Sequence, residues 1–178
     1  MRESPENLNT QAIELAQQGN YPEAIACFKR ALSLERYNHL LWFNLGITYR
    51  DAGDLQNARH ALEKAYAINS DDDDIIETLA IICYSIGNYD EALAYCTEGI
   101  DKNPSNAHVW NTIGVIYFNR SEYALACDAF EQAVSINPYY YDALYNLRDT
   151  YEELGNTAGV EQCKRQMRHI SPDGKHHA

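Results

Sequence analysis

The pattern Trp42-x2-Leu45-Gly46-x2-Tyr49 returns 68 positions later as Trp110-x2-Ile113-Gly114-x2-Tyr117. Ile76, Leu79 and Ala80 occupy the halfway point, and Leu144, Leu147 and Tyr151 follow the second copy, so the period is 34 residues. A unit of that size cannot bury its apolar face alone, so a fixed period restricts the chain to stacked copies that share a core.

The second half of each unit carries its own marks. Ala24, Ala58, Ala92 and Ala126 recur at the same period, each followed four positions later by Phe28, Leu62, Cys96 or Phe130. Four residues is one helical turn, which sets a small residue at a close helix crossing beside a larger one that fills the gap. Each unit therefore reads as two antiparallel helices. Gly19, Gly53, Gly87 and Gly155 mark the turn between them, with Ser121 in the fourth unit. Glycine there takes the left-handed conformation that ends a helix. Pro104, Pro138 and Pro172 stand at the joints between units, where they cannot continue the preceding helix.

On these marks the chain resembles the tetratricopeptide repeat (TPR) family over residues 5 to about 172. The resemblance implies an all-α fold, a right-handed superhelical solenoid of five antiparallel helix pairs. The repeats would run 5–38, 39–72, 73–106, 107–140 and 141–172 as a single domain, between an N-terminal extension at 1–4 and a polar, disordered tail at 173–178. Gln11 in the first repeat, and Arg148, Lys164 and Met167 in the fifth, depart from the pattern, as expected of end repeats with no neighbour to bury an outer face against.

At 178 residues and 46% hydrophobic, the chain can bury one elongated core. No apolar run approaches the roughly 20 residues of a membrane helix, and Met1 to Glu6 lack the apolar stretch of a signal peptide, so no membrane insertion and a cytoplasmic location are expected. The five cysteines, odd in number and without a Cys-x-x-Cys pair, read as reduced packing residues. A formal net charge of −12 argues against a nucleic-acid partner. The basic cluster Lys164, Arg165, Arg168 and His169 reads as a solvated end face. Asp71 to Asp74 lack the glycine and distal glutamate of an EF-hand loop, and read as acids favoured at a helix start.

No nucleophile elbow, phosphate loop, His-Glu-x-x-His zinc site or dinucleotide-binding glycine turn occurs, and the histidines are scattered, with His176 and His177 in the tail. The chain is therefore expected to be no enzyme, with no catalytic, metal or cofactor site.

What remains is an apolar stripe outside the packing positions. Phe43, Ile47, Ile81, Tyr84, Val115, Phe118 and Tyr145 lie on the first helices, and a helix with a spare apolar stripe requires another partner. Beside them run Asn44, Thr78, Thr112 and Asn146, with Thr10 at the head of the row and Asn111 alongside. The family resemblance implies that this face is a concave groove binding peptide segments, and that the polar row grips their main chain. Short hydroxyl and amide side chains also have a bland use, since they bond to nearby helix backbone. Asp74, His108 and Asp142 form a further row that sets a histidine between acids.

Some family members clamp an acidic chaperone C-terminus with groove lysines and arginines. Here the matching places hold Asn9, Asn44, Asp74 and Thr78, with Arg50 the nearby cation and Asp74, Glu77, Asp142 and Asp149 around the groove. A protein or peptide partner that is neutral or basic, with apolar anchors, is expected. The alternative is a self-assembling scaffold, a homo-oligomer in which end repeats dock into neighbouring grooves.

Overall fold

The computed structural model describes residues 4–170. Of the expected N-terminal extension, Ser4 is described, as the cap of the first helix, and Pro172, His176, His177 and the polar tail lie outside the described residues. Ten helices follow in order: α1 (Pro5–Gln17), α2 (Tyr21–Leu34), α3 (His39–Asp51), α4 (Leu55–Ile68), α5 (Asp73–Ser85), α6 (Tyr89–Lys102), α7 (Ala107–Asn119), α8 (Tyr123–Ile136), α9 (Tyr141–Glu153) and α10 (Thr157–Met167). Helix accounts for 79% of the described residues, which contain no strand, so the chain is an all-α helical repeat array.

The first helix of every pair starts 34 residues after the last, and local chemistry sets those starts. Asn38, Asp72 and Asn106 cap α3, α5 and α7, each side-chain oxygen accepting two backbone N–H groups of the first turn. Such caps satisfy donors that the helix itself leaves orphaned. Asp72 is the second acid of the Asp71–Asp74 run, and Asp73 and Asp74 follow it in the first turn of α5, so the acidic run works as a helix start. Each pair then closes by the same device. The N–H groups of Asn20, Asp54, Asn88, Glu122 and Asn156 reach back five residues to a carbonyl at 2.8–2.9 Å. The residue before each is in the left-handed region, including Ser121 at φ 61°, where the other pairs have glycine.

The helices pack as two compact units that divide between Ala92 and Leu93, within α6. In the first unit, Leu8, Ala12, Phe28, Ala31, Leu32, Leu41, Leu45 and Ala61 form one buried cluster. In the second, Ala126, Phe130, Leu144, Leu147, Cys163 and Ile170 do the same, with Met167 packed against them. Glycine sets the closeness of two crossings. A methyl at Gly46 would meet Leu62 Cγ at 2.7 Å, and one at Gly114 would meet the buried Phe130 ring at 2.5 Å.

The tryptophans and the last pair depart from the fully buried pattern. Trp42 and Trp110 are half-buried. Their indole N–H groups donate to the carbonyls of Arg36 (2.9 Å) and Pro104 (3.0 Å), tying each first helix to the joint before it. In the last pair, α10 buries Gly159, Val160 and Cys163, so Val160 keeps the alanine's place, while Lys164, in the place of the large residue, reaches out to Glu161 at 3.5 Å. Arg148 and Lys164 stand where Gly114 and Phe130 meet one repeat earlier, so the small-against-large pairing is absent here. Tyr151 instead lies against Gly159, where a methyl would meet its ring at 2.6 Å.

Candidate functional site

In the first unit, the residues expected to face a ligand come from α1, α3 and α5. Phe43, Asn44, Ile47, Ile81 and Tyr84 are half-buried, while Thr78 is only 7% exposed. Asn44 Nδ2 donates to Asn9 Oδ1 at 3.0 Å, so consecutive first helices are joined by a side-chain amide pair. The Tyr84 ring lies 5.7 Å from that of Tyr89.

The second unit repeats this arrangement on α7 and α9. Asn146 Nδ2 donates to Asn111 Oδ1 at 3.0 Å, three repeats after the first pair and at the same register. Phe118 stacks edge-on with Tyr123, centroids 5.3 Å apart, as Tyr84 meets Tyr89 one repeat earlier. Val115, Phe118, Asn146 and Asp149 border a recess of about 100 Å³ floored by Phe130. That is smaller than the roughly 150 Å³ that accepts a benzene ring, and suits an aliphatic side chain. Tyr145, 44% exposed, stands beside it with the Arg148 guanidinium 4.0 Å above its ring.

The polar row divides in two. The hydroxyls of Thr78 and Thr112 donate to the carbonyls of Asp74 (2.6 Å) and His108 (3.0 Å) in their own helices. Thr10, Thr48 and Thr150 do likewise, so these hydroxyl protons are committed to the helix backbone. The asparagines keep more capacity, because an amide has two N–H donors and two lone pairs and the pairing uses one group on each. The apolar stripe is also more committed than its pattern suggests. Val115 and Phe118 pack against the second unit's core.

The charge of the surface is mixed by one residue that departs from the repeat's packing pattern. Arg148 replaces the small residue of its register, and its Nε donates to Asp149 Oδ1 at 2.9 Å. Position alone gave no sign that its side chain would turn onto this face. Arg50 is paired with Asp51 at 2.8 Å. His108 bonds through Nδ1 to the Tyr140 hydroxyl at 3.0 Å, its ring against the tyrosine's, in place of a contact with Asp142. No group of three or more metal-ligating side chains gathers among the described residues. Nor is any helix there long and apolar enough to cross a membrane.

Sequence profiles described as Tetratricopeptide repeat match residues 9–74, 49–116 and 107–140. The chain belongs to the tetratricopeptide repeat family. TPR proteins bind protein partners and are typically non-catalytic interaction modules. Similar curated proteins include the BBSome complex member bbs-4 of Caenorhabditis elegans, 30% identical over 129 residues, or 72% of this chain and 28% of that protein. Human tetratricopeptide repeat protein 13 is also 30% identical, over 131 residues, or 71% of this chain and 15% of that one. The chain thus spans less than a third of the length of either relative.

Among solved structures, MamA from Desulfovibrio magneticus RS-1 superposes with a TM-score of 0.82 at 15% identity, over 94% of this chain and 95% of that one. PilF from Pseudomonas aeruginosa gives 0.82 at 16% identity, over 98% and 78% respectively. At these identities the likeness is one of fold.

Proposed function

We propose that the first-helix faces of this TPR protein are peptide-docking surfaces. The observation that carries the reading is the recurrence of one arrangement, Asn9 with Asn44 and Asn111 with Asn146, each beside half-exposed apolar side chains. A cross-helix amide bond holds both side chains in place before a ligand arrives, which lowers the entropy lost when the remaining amide groups take up a peptide main chain. Phe43 and Ile47 in the first unit, and Val115, Phe118 and Tyr145 in the second, supply apolar contact. The recess beside Asn146 suits an aliphatic anchor. Asp74, Glu77, Asp142 and Asp149 favour a segment that is neutral or basic, because a carboxylate-rich peptide would lose hydration without meeting enough cations.

Phe43→Ala and Tyr145→Ala test this reading on the partner retained from a source-cell lysate. Each should weaken binding by about 2 kcal/mol, the scale of an aromatic hot spot, with the thermal midpoint nearly unchanged. Equal losses in binding and stability would make these rings structural and end the proposal. A second reading is favoured by one feature: Arg165 on α10 and Arg168 and His169 just after it are exposed, a basic cluster opposite in charge to the acidic first-helix faces. A second copy would then dock its α10 there, and light scattering across a concentration series would show mass rising with concentration. A constant monomer mass would remove this reading.

A further inference from the structure

The second helices form a pair of clefts that the first-helix faces do not involve. Trp42, Leu45 and Tyr49 floor a cleft between α2 and α4, with a volume of about 430 Å³. Trp110, Ile113 and Tyr117 floor another between α6 and α8, of about 590 Å³, at the same register two repeats later. Both fall within the 300–1,000 Å³ range of ligand pockets. Residues 110, 113 and 117 lie on a different side of α7 from Val115 and Phe118, as helical spacing requires. In each floor the indole N–H is already bonded to a joint carbonyl, so the ring offers apolar surface with its polar group satisfied.

The two clefts share a framework, but their rims differ. The first is edged by Lys29, Ser33, Asn57 and His60. At the same register the second has Thr97, Asp101, Leu125 and Asp128, with Glu131 beside them. Leu125 is 45% exposed. Glu131 is held in place by the Tyr151 hydroxyl, which donates to its Oε1 at 2.6 Å. The first cleft shows that the repeat packs without an exposed leucine or acids at the registers of Asp101 and Asp128, while Glu63, at the register of Glu131, is paired with Arg59 at 2.8 Å. The architecture therefore does not demand that Leu125 be exposed among acids, and this side chain extends the apolar floor of Trp110, Ile113 and Tyr117 out to the rim.

We propose that the Trp110 cleft is a second docking site, taking a partner segment that presents one leucine- or phenylalanine-sized side chain between lysines or arginines. The side chain enters over Trp110 and against Leu125, while Asp101, Asp128 and Glu131 attract the flanking cations and repel an acidic segment. The Trp42 cleft, with Lys29 and His60 on its rim, rejects the same ligand, so one chain carries two versions of a cleft with opposite charge preference.

The chain's two tryptophans give each cleft its own reporter. The whole ¹⁵N-labelled chain is titrated with the capped peptide Lys-Arg-Leu-Phe-Arg-Lys, and separately with Glu-Asp-Leu-Phe-Asp-Glu. The two indole N–H resonances are assigned through Trp42→Phe. The basic peptide should shift the Trp110 resonance saturably and leave Trp42 in place, and the acidic peptide should bind at least tenfold more weakly. The double variant Leu125→Asn, Asp128→His installs the first cleft's residues at exposed rim positions. With an unchanged circular dichroism spectrum, it should weaken the Trp110 response at least tenfold, whereas Tyr145→Ala on the first-helix face should not alter it. Equal shifts of both indoles, no saturable Trp110 shift, or an undiminished response in the double variant would each overturn the proposal.

Discussion

Gly114→Ala isolates the helix crossing on which the second unit depends. Glycine inside a helix costs about 1 kcal/mol relative to alanine, so at an open position the substitution would stabilise by that amount. Here the added methyl would sit 2.5, 2.6 and 2.8 Å from three carbons of the Phe130 ring. Phe130 is 1% exposed and packed into the core, so the ring cannot swing clear. Forcing a methyl into a filled core costs roughly 1–3 kcal/mol, and three contacts below 3 Å against an immobile ring put this site in the upper part of that range, about 2–3 kcal/mol, so the net loss after the propensity gain is about 1–2 kcal/mol. For a chain of this length that corresponds to a fall of about 2–8 °C in thermal midpoint. Urea unfolding followed at 222 nm gives the loss directly, and Phe130→Leu supplies the control. In that background the methyl has room, so Gly114→Ala should become neutral or stabilising, with a coupling energy of about 1–3 kcal/mol between the two sites. If Gly114→Ala stabilises the wild-type chain, or has the same effect in both backgrounds, the crossing is not limited by this contact.

Ser121→Gly should stabilise by about 0.5–1 kcal/mol, because relief of a left-handed serine outweighs the entropy that glycine adds to the unfolded chain; a lower thermal midpoint would contradict it. Asp54 caps α4, and hydrogen bonds from Asn57 hold its carboxyl below the ordinary carboxylate value. Its contribution is thus complete above the ordinary range near pH 4 and is lost as pH falls through the lowered folded value. Asp54→Asn should flatten the acid side of the stability–pH profile, and an unchanged profile would refute the cap's role. Burial pushes the Cys83 and Cys163 thiols up to about 11 and Cys127 to about 12, whereas Cys27 is half-buried. A thiol reagent at pH 8 should therefore modify Cys27 first and the buried cysteines only on unfolding, a sequence that peptide mapping reads out.

The fold was legible because its determinants are local and periodic. Asparagine or aspartate at 38, 72 and 106, the turn glycines, and proline at the joints each specify a helix boundary by chain-neighbour chemistry. Ser121 at a glycine position shows how strongly the surrounding turn imposes that conformation. Side-chain commitments were less legible, since a residue type does not say where its hydrogen bond goes. Thr78 and Thr112 have the spacing of a ligand-gripping row, but bond to their own helix. Phe118 has the spacing of a free stripe, but packs on Tyr123. The asparagine pairs were half visible, as a row of amides without their partners. Arg148 was legible as a departure from the pattern but not the face onto which it turns, and the Trp110 cleft was hidden because its walls, α6 and α8, are separated along the chain by α7.

The central claim, that the first-helix faces dock a neutral or basic segment with apolar anchors, is tested most directly by the side-chain amide resonances of Asn44 and Asn146. These are followed while the chain is titrated with a basic amphipathic peptide and then with an acidic chaperone-type C-terminal peptide. The account predicts that the basic peptide moves these amides saturably, with an affinity that falls as salt screens the attraction, and that the acidic peptide leaves them in place. Tight, salt-sensitive binding of the acidic peptide at these amides, or no response to either peptide, would contradict it.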